Sequence, residues 1–175
     1  MSATTAAGVP SRTEAASYYF NYIDRVTDPD IVAVIAAQHD PTLALLSGIS
    51  EEKSLHRYAP GKWSIRELWN HVTDTERAFV FRALWFARGF DTPLASYDQE
   101  IAARGAAADR VSWSSHVEEF RAVRAATVAF FRNLPAEAWM RTGIASGNHF
   151  TVRALAYVIA GHVVHHTSIL KERYL

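Results

Sequence analysis

Two histidines four residues apart, His162 and His166, occupy positions where a helix of this composition would carry leucine or isoleucine. Leu155, Ile159, His162, His166 and Ile169 follow one another at alternating steps of four and three, the spacing of a helix seam facing a bundle core. The i, i+4 relation sets both imidazoles on one face, about 6 Å apart at Cβ, where a pair can chelate one ion. A second seam, Leu68, His71, Thr75, Ala78, Arg82 and Trp85, again places a histidine where an apolar residue belongs. A lone inward histidine is more often a satisfied core residue, and an H-x-x-x-H pair arises easily by chance. Three inward imidazoles from two helices are different: each loses hydration on burial, and neutral imidazoles together are mostly acceptors in need of a cation.

One divalent metal ion satisfies all three, so His71, His162 and His166 are the expected ligands. Zinc or nickel suits the set, and iron or cobalt would also accept three imidazoles. Three protein ligands leave a fourth coordination position for water or a small-molecule substrate, the catalytic rather than the structural arrangement. Such an ion would lower the pKa of a bound water or thiol toward neutrality. His165 falls on the side of Val158, Gly161 and Ser168 and is left out of the site. His39, His56, His116 and His149 lie in or near loops or helix ends, where solvation accounts for them.

Arg82 shares the seam of His71 and could meet a substrate carboxylate, although pairing with Asp98 or Glu100 is the simpler expectation for an inward arginine. Tyr97 and Asp98 could supply a general acid or a lid, while an Asp in that setting also serves as an ordinary turn former. Glu67 lies one turn before His71 and could accept from an imidazole N–H, yet its spacing from Ser64 is that of a capping box, the preferred reading. Asp74 and Glu76 flank the site one turn later, yet with Arg77 nearby they fit an ion-paired helix surface equally well.

The elements that must position these groups are helical, because apolar residues recur at three and four rather than two. Tyr18, Tyr19, Phe20 and Tyr22 form a short element on the outside. A first long helix is expected from Asp28, with Pro29 in its first turn, through Ile31 and Leu46 toward Gly48, kinked at Pro41. A second runs from Ser64 to about Gly89, a third from Ser112 or Ser114 to Pro135, and a fourth from Thr151 almost to the C-terminus. Loops hold Pro60-Gly61, Pro93 with Tyr97 to Glu100, and Gly143 with Gly147. Four long helices joined this way make an all-α antiparallel four-helix bundle. Residues 1–13 are small and polar and read as a disordered tail; residues 14–175 form one domain, the size one core supports.

Composition narrows function. Lys plus Arg and Asp plus Glu each number 18, so no net field attracts nucleic acid or an anionic membrane. Cysteine is absent, which removes disulfides, thiolate ligands and a cysteine nucleophile, and any thiol chemistry must use an external thiol. Without a signal sequence or a spanning run, a cytoplasmic protein is expected.

The run Gly61-Lys62-Trp63-Ser64-Ile65-Arg66-Glu67, followed by His71, Asp74, Glu76, Arg77 and Arg82, resembles the DinB-like superfamily, which includes the YfiT-type thiol transferases. The likeness continues through Tyr97-Asp98-Gln99 and Val152-Arg153-Ala154-Leu155-Ala156 to Gly161-His162 and His166, over roughly residues 15–175. It implies a bundle of up-down-down-up connectivity, a metal on His71, His162 and His166, and a homodimer. Some relatives transfer low-molecular-weight thiols such as bacillithiol or mycothiol, and one branch isomerises maleylpyruvate with a thiol cofactor. The resemblance thus implies transfer of such a thiol to an electrophile, with metal-dependent hydrolysis or plain metal binding as alternatives.

Overall fold

The computed structural model describes residues 7–175. Its helices are α1 (Phe20–Ile23), α2 (Ile31–Ala37), α3 (His39–Ser47), α4 (Ile65–Ala87), α5 (Gln99–Ala106), α6 (Trp113–Arg132) and α7 (Val152–Ile169), with a hairpin of β1 (Thr142–Ala145) and β2 (Asn148–Thr151) ahead of α7. The bundle consists of α2 with α3, then α4, α6 and α7. It closes as a ring in which α4 packs on α6 and α7, and α2 packs on the other side of both. The first bundle helix therefore faces α4 across the ring and α6 faces α7, whereas the consecutive α4 and α6 are neighbours.

The expected first helix is interrupted at Gln38. Pro41 has no N–H for the carbonyl of Ala37, so the ladder breaks one turn before it. The start also differs: Asp30 caps α2 by accepting from Ala33 N–H, and Asp28 instead accepts from Asp30 N–H in the preceding turn. The break puts Gln38 where its amide donates to Ala160 C=O and accepts from Arg124, tying three bundle helices at one point.

The start of α4 follows the sequence closely. Ser64 accepts from Glu67 N–H and Glu67 accepts from Ser64 N–H, a complete capping box, and Arg57 also holds the Glu67 carboxylate. Glu67 is thereby spent on the helix end. Ser112 and Thr151 cap α6 and α7 with their hydroxyls. Beyond α7 the chain widens into a π-helical turn, Leu170–Tyr174, and Tyr174 donates to Trp63 C=O.

Two regions read as loops carry structure. Asp98 accepts from Glu100 and Ile101 N–H and opens α5. Ser146 and Gly147 both take positive φ, 53° and 72°, the two-residue turn whose twist matches a hairpin. Leu94 N–H donates to Ile144 C=O and Ser146 N–H donates to Leu94 C=O, so the segment before α5 is stitched to that hairpin. Of the tail expected over residues 1–13, residues 1–6 lie outside the described residues. Residues 7–13 are anchored: Arg153 donates to Ala7 C=O, Gly8 N–H donates to Pro29 C=O, and Pro10 is buried.

Glu76 is not on the surface. It is 2 % exposed and pairs at 2.7 Å with Arg124, itself fully enclosed, while Thr127 donates to its second oxygen. A helix register that points His71 and Thr75 inward also turns Glu76 toward α6, because α4 is covered on more than one side. His116 was likewise expected in solvent; it is buried, with Nε2 at 2.9 Å from Ala108 C=O.

The α1 segment lies directly on α7 at Gly161, where an added Cβ would stand 2.0 Å from Tyr22 O. Replacing Gly161 by Ala should therefore destabilise the protein by about 2 kcal/mol or more through overpacking against backbone, although Ala gains about 1 kcal/mol in helix propensity. Gly105→Ala, where nothing lies within 4 Å, should be neutral or slightly stabilising. Urea unfolding of the two variants checks the contact: a stabilised Gly161→Ala protein would show that α1 does not sit this close.

Candidate metal centre

The three predicted histidines meet. One ring nitrogen of each of His71, His162 and His166 lies within 4.8 Å of the others, and the side chains are buried at 8 %, 4 % and 8 % exposure. His71 comes from α4 and the pair from α7, whose mutual packing sets the distance. Nε2 of His166 is 3.0 Å from Nε2 of His162, close to the roughly 3.3 Å edge of a tetrahedron with metal–nitrogen bonds of about 2.0–2.1 Å. The Thr75 hydroxyl, one turn on from His71, sits 3.3 Å from His71 Nδ1, which leaves His71 Nε2 for another partner.

No carboxylate enters the cluster among the described residues. Burial lowers the His71 pKa to about 4 and that of His166 to about 3, and neighbouring imidazoles add to both shifts. Burial, reinforced by the adjoining imidazoles, holds His162 well below the ordinary histidine range. All three are neutral at pH 7, the form that binds a metal. His166 Nδ1 is buried with no partner, so the cluster is not a self-satisfied core network. A divalent ion fits this donor set.

Aromatic rings enclose the histidines. Trp63 lies 5.0 Å from His71, and Tyr22 lies 5.2 Å from His162, centroid to centroid. Tyr22 reaches this place because Gly161 admits its backbone. His165 is half-buried, on the outer flank of α7 beside Tyr22, and contributes no atom to the cluster, as its helix face requires.

A cavity of about 250 Å³ opens beside His71 and His162, running along α4 over Thr75 and Ala78 to Arg82. Tyr18, Tyr19, Tyr22, Phe79, Tyr97, Gln99 and Ser146 complete its wall. The tyrosines of the N-terminal element were read only as outside packing; their density within five residues was the signal. Asp98 is absent from this lining and is occupied by capping α5, while Tyr97 beside it does face the cavity. Arg82 pairs with neither Asp98 nor Glu100. Its guanidinium donates to the Ser146 hydroxyl at 2.9 Å and stands over Phe79.

A family model for the DinB superfamily matches residues 35–170. The chain belongs to the DinB superfamily. Among solved structures it is similar to YfiT from Bacillus subtilis, described as a probable metal-dependent hydrolase with an unusual four-helix bundle topology, with a TM-score of 0.72. The two share 16% identity over 84% of this chain and 87% of that one, a likeness of fold. No curated protein matches the sequence. In this DinB-superfamily chain the matched region contains the three histidines, Arg82, Tyr97 and Asp98, and ends at the last turn of α7. No described helix is long and apolar enough to cross a membrane.

Two outcomes follow for the DinB-superfamily site. His162→Ala should abolish stoichiometric binding of Zn²⁺ or Ni²⁺ to untagged protein, whereas His165→Ala should retain it; equal loss in elemental analysis would overturn the face assignment. The second concerns the metal-free chain. Imidazoles with folded pKa values near 4 and 3 take up protons in the unfolded chain first as pH falls below about 6.5. Their contribution to stability is complete above that pH and is lost progressively down to the folded values. A His71→Asn/His166→Asn double variant should thus show a shallower fall in unfolding free energy between pH 7 and pH 5 than the parent, and parallel curves would refute burial of neutral imidazoles.

Proposed function

We propose that this chain is a metal-dependent enzyme that transfers a low-molecular-weight thiol to a small electrophile in the cavity beside the triad. The observation that carries the choice is the cavity's lining: His71 and His162, two of the three imidazoles fit for an ion, with no carboxylate and no further histidine among the described residues. A nucleophile that needs a protein base is poorly served there. The tyrosines cannot act as one at neutral pH, since burial raises the phenols of Tyr19, Tyr22 and Tyr97 above their ordinary range. A thiol, with a solution pKa near 8.5 against about 15.7 for water, gives up its proton with far less help.

A divalent ion on His71, His162 and His166, zinc or nickel by preference, supplies Lewis acidity that favours the anionic form of a sulfur or oxygen nucleophile. The chain's own groups then have defined tasks. Thr75 orients the His71 ring. Trp63 and Tyr22 exclude water from the buried side, and the protonated phenols donate hydrogen bonds to charge developing on the electrophile's oxygen. A sulfur–carbon bond forms as the leaving group departs with its bonding pair, and the thiol proton goes to solvent. The homodimer implied by the family resemblance belongs to this proposal; exposed Phe81, Leu84 and Phe90 on and just beyond α4 support it.

Hydrolysis is the second reading, supported by the description of YfiT. One chromogenic ester separates the two. With Zn²⁺- or Ni²⁺-loaded protein, 4-nitrophenyl acetate should be consumed in proportion to added cysteine, glutathione or a bacterial low-molecular-weight thiol, and chelation or His162→Ala should remove that dependence. The same rate without any thiol identifies a hydrolase. No difference between loaded protein and the His162→Ala variant with either nucleophile defeats both.

A further inference from the structure

We propose that Arg82 is an anion subsite that binds the carboxylate of the substrate at the end of the cavity remote from the three histidines. As a statement about substrate class this rests on the metal-dependent reading above; as a binding site it stands alone.

Arg66, Arg82 and Arg124 are the most deeply buried arginines described, at 5 %, 6 % and 0 % exposure. Arg66 pairs with Glu51 and donates to Ser54 and to the carbonyls of Asp109 and Val111. Arg124 pairs with Glu76 and Gln38. Arg82 alone of the three has no carboxylate among the described residues: one of its nitrogens donates to Ser146, and the Tyr19 phenol is its other partner. Enclosing a cation matched only by neutral hydroxyls is costly, and a guanidinium has five donors, enough to add the two parallel hydrogen bonds of a planar carboxylate to those it already makes.

The placement suits a bifunctional small molecule. His71 and Arg82 lie eleven residues apart on α4, about 16 Å along the axis, and a long helical side chain leans back toward the N-terminus. The guanidinium and the triad are therefore separated by roughly 10 Å, the length of a short chain whose carboxylate sits at one end and reacting carbon at the other. Between them the floor is Ala78 and Thr75 and the walls are Phe79 and the tyrosines, apolar enough for a hydrocarbon or aromatic middle.

The test uses the full chain, chelator-treated and Zn²⁺-loaded, with arginine side chains labelled with ¹⁵N, and two probes that differ only in charge, hexanoate and hexanamide. The Arg82 Nε–H signal is identified by its absence from the Arg82→Gln spectrum. Hexanoate should shift that signal saturably in both preparations, with hexanamide binding at least about tenfold more weakly. Arg82→Gln should lose about tenfold or more in hexanoate affinity, and Arg82→Lys should recover part of it as a point charge without the fork. The probe comparison needs only the parent chain, so an unfolded variant does not void it. Equal binding of the two probes, no saturable shift, or a response to inorganic phosphate but not to hexanoate overturns the proposal. Loss of Zn²⁺ binding with hexanoate binding intact would reject the metal-dependent function and keep the subsite.

Discussion

The packing of α4 on α7 governs this molecule. It brings together three imidazoles that burial keeps neutral, in a cluster with no acid among the described residues to offset a proton and with one ring nitrogen, His166 Nδ1, left without a partner. A core that merely needed filling would use leucine at these positions, at no desolvation cost. The neighbours serve this arrangement: Gly161 lets the Tyr22 backbone come down on α7 so that the Tyr22 ring meets His162, while Thr75 and Trp63 both address His71.

Two kinds of buried polarity share α4. On the face toward α6, Glu76, Arg124, Thr127 and Gln38 form a charge-matched network, with Arg124 Nε alone left without a partner, that binds the bundle helices to one another. On the face toward α7 and the hairpin, His71 and Arg82 are buried with incomplete partners and border open space. A charge-matched network rigidifies; a buried cation without a carboxylate, bordering a cavity, has room for a ligand. That contrast within a single helix is what separates framework from candidate site.

The access side is assembled from the parts with least regular structure. The hairpin turn offers Ser146 to Arg82, and its bonds to Leu94 carry the segment that ends in Tyr97 to the cavity. Asp98 illustrates how a residue of chemical promise is absorbed by local geometry, since capping α5 uses one carboxylate oxygen for two backbone donors. The same holds for Glu67 at the start of α4.

By itself the sequence determined the three long helices α4, α6 and α7, their caps at Ser64, Ser112 and Thr151, and which histidines face inward together, because a period of 3.6 residues separates His166 from His165 without reference to any neighbour. It could not show that Glu76 and His116 are buried, since a helix packed on several sides hides residues that one seam would leave in water. Nor could it show the hairpin, whose strands are four residues each and carry no alternation long enough to detect. Tertiary structure alone decided which residues share the cavity. Tyr19, Tyr22 and Ser146 are distant in sequence from His71 and reach it only through the close approach of α1 to α7 and the stitching of the hairpin, and Arg82 proved to pair with hydroxyls rather than a carboxylate only once Asp98 was seen to cap α5.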